Sequence, residues 1–189
     1  MSKFYLDKSY YADRPAKWVS FETTPGLEET KRDIYGKCVP CIVNLYEQLQ
    51  ARRTEIYLGQ AHDCWKVVAV LASDEECVQV LAEFEREFLK DQKIKGRFGS
   101  GDAEKQTRVI VFSAQNEKEK NLLFEQVSAC AGRVNRDART SFHRGCAELY
   151  HELFGDWKAW RQTETLKKPE AVKEIIDRIR KMLFWEKGE

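Results

Sequence analysis

Residues 65–91 read WKVVAVLASDEECVQVLAEFEREFLKD, and two periodicities meet inside them. Trp65 to Ala72 is rich in β-branched residues, the composition of a strand. Ser73-Asp74-Glu75-Glu76 then supplies a capping box, in which the serine oxygen accepts from the amide three residues on and the glutamate reaches back. Cys77, Val80, Leu81, Phe84 and Phe88 follow at helical spacing and predict a helix ending near Asp91. Farther on, Lys93 to Arg97 and Thr107 to Ala114 (TRVIVFSA) read as two strands joined by the glycine-containing turn GRFGSGD. Asn116 with Glu119 opens a second helix, whose apolar face carries Leu123, Val127 and Ala131.

The order strand, helix, strand, strand, helix predicts an α+β fold. We expect a ferredoxin-like plait with a β-α-β-β-α core, its antiparallel sheet covered by helices on one face and free on the other for an arm, a partner or a ligand. Arg133 to Phe142 has little strand character. Thr54 to Gln60 (TEIYLGQ) is therefore expected to complete the sheet beside residues 65–72, with AHDC as the turn of a hairpin.

Working outward, residues 1–35 show little periodicity but hold Phe4, Tyr5, Tyr10, Tyr11, Trp18 and Phe21, with turn signals at Arg14-Pro15 and Pro25-Gly26. They read as an irregular aromatic arm, packed over the core, on a second copy or along a groove. Ile42, Leu45, Tyr46 and Leu49 predict a helix over Cys41 to Arg53. Toward the C-terminus, Phe142, Cys146, Leu149, Tyr150 and Leu153 predict a helix over Ser141 to Phe154, stopped at Gly155-Asp156. A strongly amphipathic helix follows from Pro169, with Val172, Ile175, Ile176, Ile179, Met182 and Leu183 on one face. Glu174 with Arg178 and Asp177 with Lys181 are spaced as exposed pairs on it, and its stripe suits docking on the domain or pairing with its own copy. The expected organisation is an arm (1–35), an α+β core domain (36–155), and a linker with the C-terminal amphipathic helix (156–189).

Thirty-two Lys and Arg against 31 Asp and Glu leave a net charge of +1, so no global field draws this chain to nucleic acid or to an anionic membrane. The opening MSKFYLDKSYYADR lacks an apolar leader region, and no stretch has the apolar length of a membrane span. The expected location is cytoplasmic, without membrane partners. Six cysteines in such a setting suit buried thiols, metal ligands or redox groups better than a disulfide scaffold.

Cys38-Val39-Pro40-Cys41, at the start of a helix, resembles the active-site pattern of thioredoxin-like oxidoreductases, where helix N-terminal amides stabilise a thiolate. That resemblance implies thiol-redox chemistry. Two other parts of the family's pattern are missing: TKRDIYGK before the motif is no apolar strand, and no proline lies between Cys41 and Pro169 to face a disulfide. The same pair with His62 and Cys64 meets the ligand count of a structural zinc site, although His-x-Cys is tighter than the usual spacing. Zinc is the cofactor this set would hold. His143, Cys146 and His151 form a second cluster, but Cys146 falls in an apolar stripe and reads as core, as do Cys77 and Cys130.

GRFGSGD leads to a strand and has no Lys-Ser or Lys-Thr pair, so it reads as a hairpin turn and not a phosphate loop. The element order is also similar to that of the RNA-recognition fold, but TRVIVFSA offers only Phe112 and WKVVAVLA only Trp65 for base stacking. Arg133, Arg136, Arg139 and Arg144, against a lone Asp137, are candidates for nucleic-acid phosphates. No sequence motif for a nucleophile with its base is present. The function expected from these features is binding or interaction, with a homo-oligomer or protein partner, and without catalysis. The alternatives are a metal or thiol protein on Cys38, Cys41, His62 and Cys64, and a single-stranded nucleic-acid binder on the four arginines.

Overall fold

The computed structural model describes residues 3–10, 17–26, 39–90, 92–100, 102, 105–145 and 147–183. The chain divides into two compact units, each built from two separate segments. One takes residues 1–34 and 65–142, the other residues 35–64 and 143–189. The arm (1–35), core (36–155) and C-terminal segment (156–189) expected from sequence are a different way of dividing the chain, which this division does not test. Hydrophobic periodicity marks which face of an element is buried but not which distant element covers it.

The first unit is α+β, with an open sheet in the order β1-β2-β5-β6-β4-β7. Its strands are β1 (Tyr5–Tyr10), β2 (Lys17–Glu22), β4 (Trp65–Leu71), β5 (Lys95–Gly99), β6 (Arg108–Ala114) and β7 (Arg139–Arg144). Two helices belong to it, α3 (Asp74–Glu87) and α4 (Glu117–Val134). The pairs β1–β2, β2–β5, β5–β6 and β6–β4 are antiparallel. Both capping boxes form. The amide of Glu76 donates to Ser73 Oγ at 3.2 Å, and the Glu76 carboxylate accepts from the amide of Ala72 at 2.8 Å. Asn116 and Glu119 repeat the exchange, each contact at 2.8 Å. The Ala72 amide, and next the Asn135 side chain, hold the Glu76 carboxyl below its usual range, so this cap is charged at neutral pH.

Register places both helices on one face of the sheet. Val67 lies opposite Phe112 and Trp65 opposite Ala114, so these four share a side. Phe84 of α3 approaches Phe112 with ring centroids 5.3 Å apart, and Lys120 of α4 sits 4.7 Å above the Trp65 ring. The Lys120 ammonium is also 4.2 Å above Phe142 and 3.5 Å from a Glu117 carboxylate oxygen, which is how a buried lysine is accommodated. On the opposite face Lys66 donates to Ser113 Oγ across the β4–β6 pair at 2.8 Å.

Three expectations for this unit are corrected. The described part of the aromatic arm is a regular hairpin, not an irregular segment, and it extends the sheet on the β5 side. Alternation explains it: Phe4 and Phe21 turn to the helix-covered face, where Phe21 packs on Phe4 at 5.6 Å and on Phe112 at 5.0 Å. The Arg14-Pro15 turn lies outside the described residues. Second, Arg139 to Arg144, discounted as a strand, is the edge strand beside β4, where polar side chains are tolerated. Phe142 belongs to it and packs on Trp65 and Phe124, so it is not part of a helix stripe. Third, Gly96 is not in a turn. It pairs with Phe112 inside β5, and a Cβ there would lie 2.0 Å from the Val111 carbonyl oxygen and 2.4 Å from Phe21 Cζ.

The second unit contains α1 (Val39–Gln50), β3 (Glu55–Tyr57), α2 (Gln60–Asp63), α5 (Ala147–Phe154), β8 (Thr163–Thr165) and α6 (Val172–Leu183). TEIYLGQ does not join the large sheet. Its strand β3 pairs with β8, Ile56 opposite Glu164, and AHDC starts within α2 rather than in a hairpin turn. The Gln48 side chain stands where another strand would, donating to the Tyr57 carbonyl and accepting from the Tyr57 amide, both at 2.8 Å. The core gathers Cys41, Ile42, Leu45, Ile56, Leu58, Tyr150, Phe154, Trp160, Ile175 and Ile179. Ile175 and Ile179 of the α6 stripe are therefore buried within their own unit, with Val172 and Ile176 partly buried, and Arg180 Nε donates to the Tyr46 hydroxyl at 3.2 Å. Arg178 pairs with Glu152 of α5 instead of Glu174, and Asp177 meets Arg180 at 3.8 Å.

Candidate functional site

Cys41 lies on α1 and points into the core of its unit, 2 % exposed, where Tyr150 donates its hydroxyl to the Cys41 carbonyl at 3.0 Å. Cys38 and Cys146 lie outside the described residues. His62, on α2, has both ring nitrogens engaged: Nδ1 is 2.9 Å from Asp63 Oδ1, and Nε2 is 3.3 Å from Arg144 Nη2. Arginine only donates, so Nε2 accepts and the ring proton sits on Nδ1 toward the carboxylate. His62 would have to release one of these contacts to take a metal ion. Cys64 is half-buried, and its carbonyl accepts from the Gly145 amide at 2.9 Å. Among the described residues no three His, Cys, Asp or Glu side chains gather in a way that could hold a metal.

The four arginines are not brought together. Arg133 pairs with Glu87 at 3.1 Å and Glu83 at 3.6 Å, tying α4 to α3. Arg86, at 2.6 Å from Glu83 and 3.1 Å from Glu87, completes that network, and Arg86 followed by Arg133 holds the Glu87 carboxyl below its usual range. Arg144 is buried against His62, while Arg136 and Arg139 are exposed. Cys77 and Cys130 are buried as expected. Desolvation pushes their thiols up to about 12 and about 11, so neither supplies a thiolate nucleophile at neutral pH.

A surface groove lies elsewhere, at the β1 edge of the large sheet. β1 is the terminal strand, and no other described strand pairs with its outer side. A groove of about 440 Å³ runs between it and α3, lined by Phe4, Leu6, Val78, Leu81 and Ala82, with Glu85 and Arg86 at its rim. Three of the exposed large apolar side chains among the described residues, Tyr5 at 50 %, Leu6 at 47 % and Val78 at 45 %, come from these two elements, while Tyr57 and Leu122 lie elsewhere. A terminal strand beside an apolar groove is an arrangement that can receive a further strand.

A second groove of about 390 Å³ opens at the start of β1, lined by Lys3, Tyr5, Thr23, Thr24, Lys90 and Lys93 among others. Tyr5 faces it and is opposite Glu22, on the side of the sheet away from α3 and α4. Neither groove follows from a sequence motif. Val78 did carry a signal, as an apolar residue outside the stripe Cys77, Val80, Leu81, Phe84. No protein-family description, curated protein or solved structure matches this chain. Among the described residues no helix is long and apolar enough to cross a membrane.

Proposed function

We propose that the protein is a binding module that self-associates through the β1 edge. The observation that carries the proposal is the coincidence of a terminal strand, with no described strand on its outer side, and exposed Leu6 and Val78 over one apolar groove. The strand order β5-β6-β4-β7, with α3 and α4 in the crossings, supports the finer description of its core as a ferredoxin-like plait extended by the β1–β2 hairpin. A hairpin added at that end exports the sheet edge to β1 and makes the edge available for pairing.

A second copy suits this edge on symmetry and charge. A two-fold axis normal to the sheet pairs β1 with β1 antiparallel and keeps the helices of both copies on the same side. Centred on Leu6, it sets Leu6 opposite Leu6 and Tyr5 opposite Asp7, with no like charges facing. The two apolar grooves then become continuous across the axis. The rim holds one acid and one base, Glu85 and Arg86, so it carries no net charge to repel a second copy.

Light scattering on the full chain at micromolar concentration is expected to give a dimer. Leu6→Gln, which keeps charge and strand length, should shift it to monomer with an unchanged circular-dichroism spectrum. A Leu6→Cys chain should cross-link through position 6 to its own copy under mild oxidation, read by peptide mass spectrometry. A monomeric wild-type chain, or a dimer indifferent to Leu6→Gln, would overturn the proposal.

A further inference from the structure

We infer that the groove at the start of β1 binds the backbone of a single-stranded nucleic acid, a function independent of self-association. Its three lysines come from three separate places: Lys3 before β1, Lys90 after α3 and Lys93 before β5. No carboxylate is among its lining residues. In a chain whose acids and bases nearly balance, three exposed ammonium groups around one concavity are a local departure from neutrality. Asp91, between two of these segments, lies outside the described residues.

The groove also contains a stacking surface. The Tyr5 ring is half exposed and belongs to both the groove and the face of the sheet away from α3 and α4. Register continues the row from Tyr5 to Glu22 and then to Lys95. One row over, Ser20 lies opposite Arg97, whose guanidinium stacks 4.1 Å above the Trp18 ring. A strand whose phosphates lie along Lys90 and Lys93 can therefore set a base on Tyr5, while the Arg97–Trp18 pair farther along the sheet, its indole buried, takes no part. Cationic tracking of the backbone combined with sequence-tolerant stacking is how single strands are held without reading their bases. Thr24, exposed at the groove wall, adds a hydroxyl donor for a phosphate oxygen.

Duplex DNA fits less well, because its bases are stacked inside and leave Tyr5 nothing to stack on. Arg133 is held by two glutamates and Arg144 is buried, so neither is counted in this groove.

The test is fluorescence anisotropy of a labelled oligothymidylate with the full chain, titrated at several salt concentrations. Binding should weaken as salt rises. Lys90→Glu with Lys93→Glu should lower affinity at least about tenfold and reduce the salt slope by about 1.4, since each phosphate contact on a single strand contributes about 0.7. Tyr5→Ala should lower affinity about fivefold or more while leaving the slope unchanged, because stacking releases no counterions. All three positions are exposed, and circular dichroism checks that the variants fold. Leu6→Gln should bind the oligonucleotide as wild type does, which separates failure of this inference from failure of self-association. No anisotropy change, a slope indifferent to the lysine pair, or full displacement by millimolar inorganic phosphate would overturn it, the last by pointing to a small phosphate compound.

Discussion

Gly96→Ala is expected to destabilise the first unit by about 3 kcal/mol, at the upper end of the usual overpacking range. The added methyl would lie 2.0 Å from the Val111 carbonyl oxygen and 2.4 Å from Phe21 Cζ. A flexible side chain could move aside, but the nearer obstacle is backbone of β6, a central strand paired on both sides. The farther one is a ring wedged between Phe4 and Phe112. Relief requires separating β5 from β6 or expelling Phe21, and either gives up buried aromatic area. Hydrogen exchange resolved by peptide is the suitable measurement, with protection expected to fall in β2, β5 and β6. Gly132→Ala on α4 is the control: nothing lies within 4 Å of its added Cβ, so helix propensity should stabilise it by about 0.5–1 kcal/mol. Equal, small effects at both glycines would contradict the packing described for Gly96.

Tyr150→Ala should cost the second unit about 3–5 kcal/mol, the range for emptying a fully buried aromatic site. Tyr150 is completely buried, with ring centroids 5.9 Å from Phe154 and 5.8 Å from Trp160, and its hydroxyl ties α5 to the first turn of α1 at Cys41. Tyr150→Phe separates the two contributions. It keeps the ring and deletes only the donation to the Cys41 carbonyl, for which about 1 kcal/mol is expected. Exchange protection in α1, α5 and α6 should collapse in the alanine variant and fall slightly in the phenylalanine variant. Retention of protection in the alanine variant would mean that the aromatic cluster does not organise this unit.

The proposed self-association and the inferred nucleic-acid binding would make separate demands on the β1 end of the sheet. Leu6 points to the groove beside α3, and Tyr5 points to the opposite face, because adjacent strand residues alternate. One short strand can thus serve two surfaces, and substitutions at 5 and 6 can affect them independently. The candidate sites read from motifs had a different fate. Cys41 is committed to the core of the second unit, and Arg133 and Arg144 are committed to partners within the fold.

The residues lining both grooves were hard to find from sequence because proximity in space joins them. Lys3 and Lys93 are 90 positions apart, and Leu6 meets Val78 only because β1 is attached to the sheet through β2 and β5. Motif spacing reports what lies within one or two turns of chain. It made CVPC and the arginine run conspicuous and gave no weight to isolated lysines.

By itself the sequence determined what short-range physics controls. The caps at Ser73 and Asn116 follow from amides left unpaired at helix starts, and the α3 and α4 faces and the strands at Trp65 and Arg108 follow from periodicity. Tertiary structure alone decided the pairings between distant backbones: β3 with β8 across more than 100 residues, the β1–β2 hairpin on β5, and β7 at the far edge. Any strand edge has the same donors and acceptors, so its partner is selected by which side chains fit beneath it. At Gly96 that selection was made by the absence of a side chain, which leaves room for the ring of Phe21.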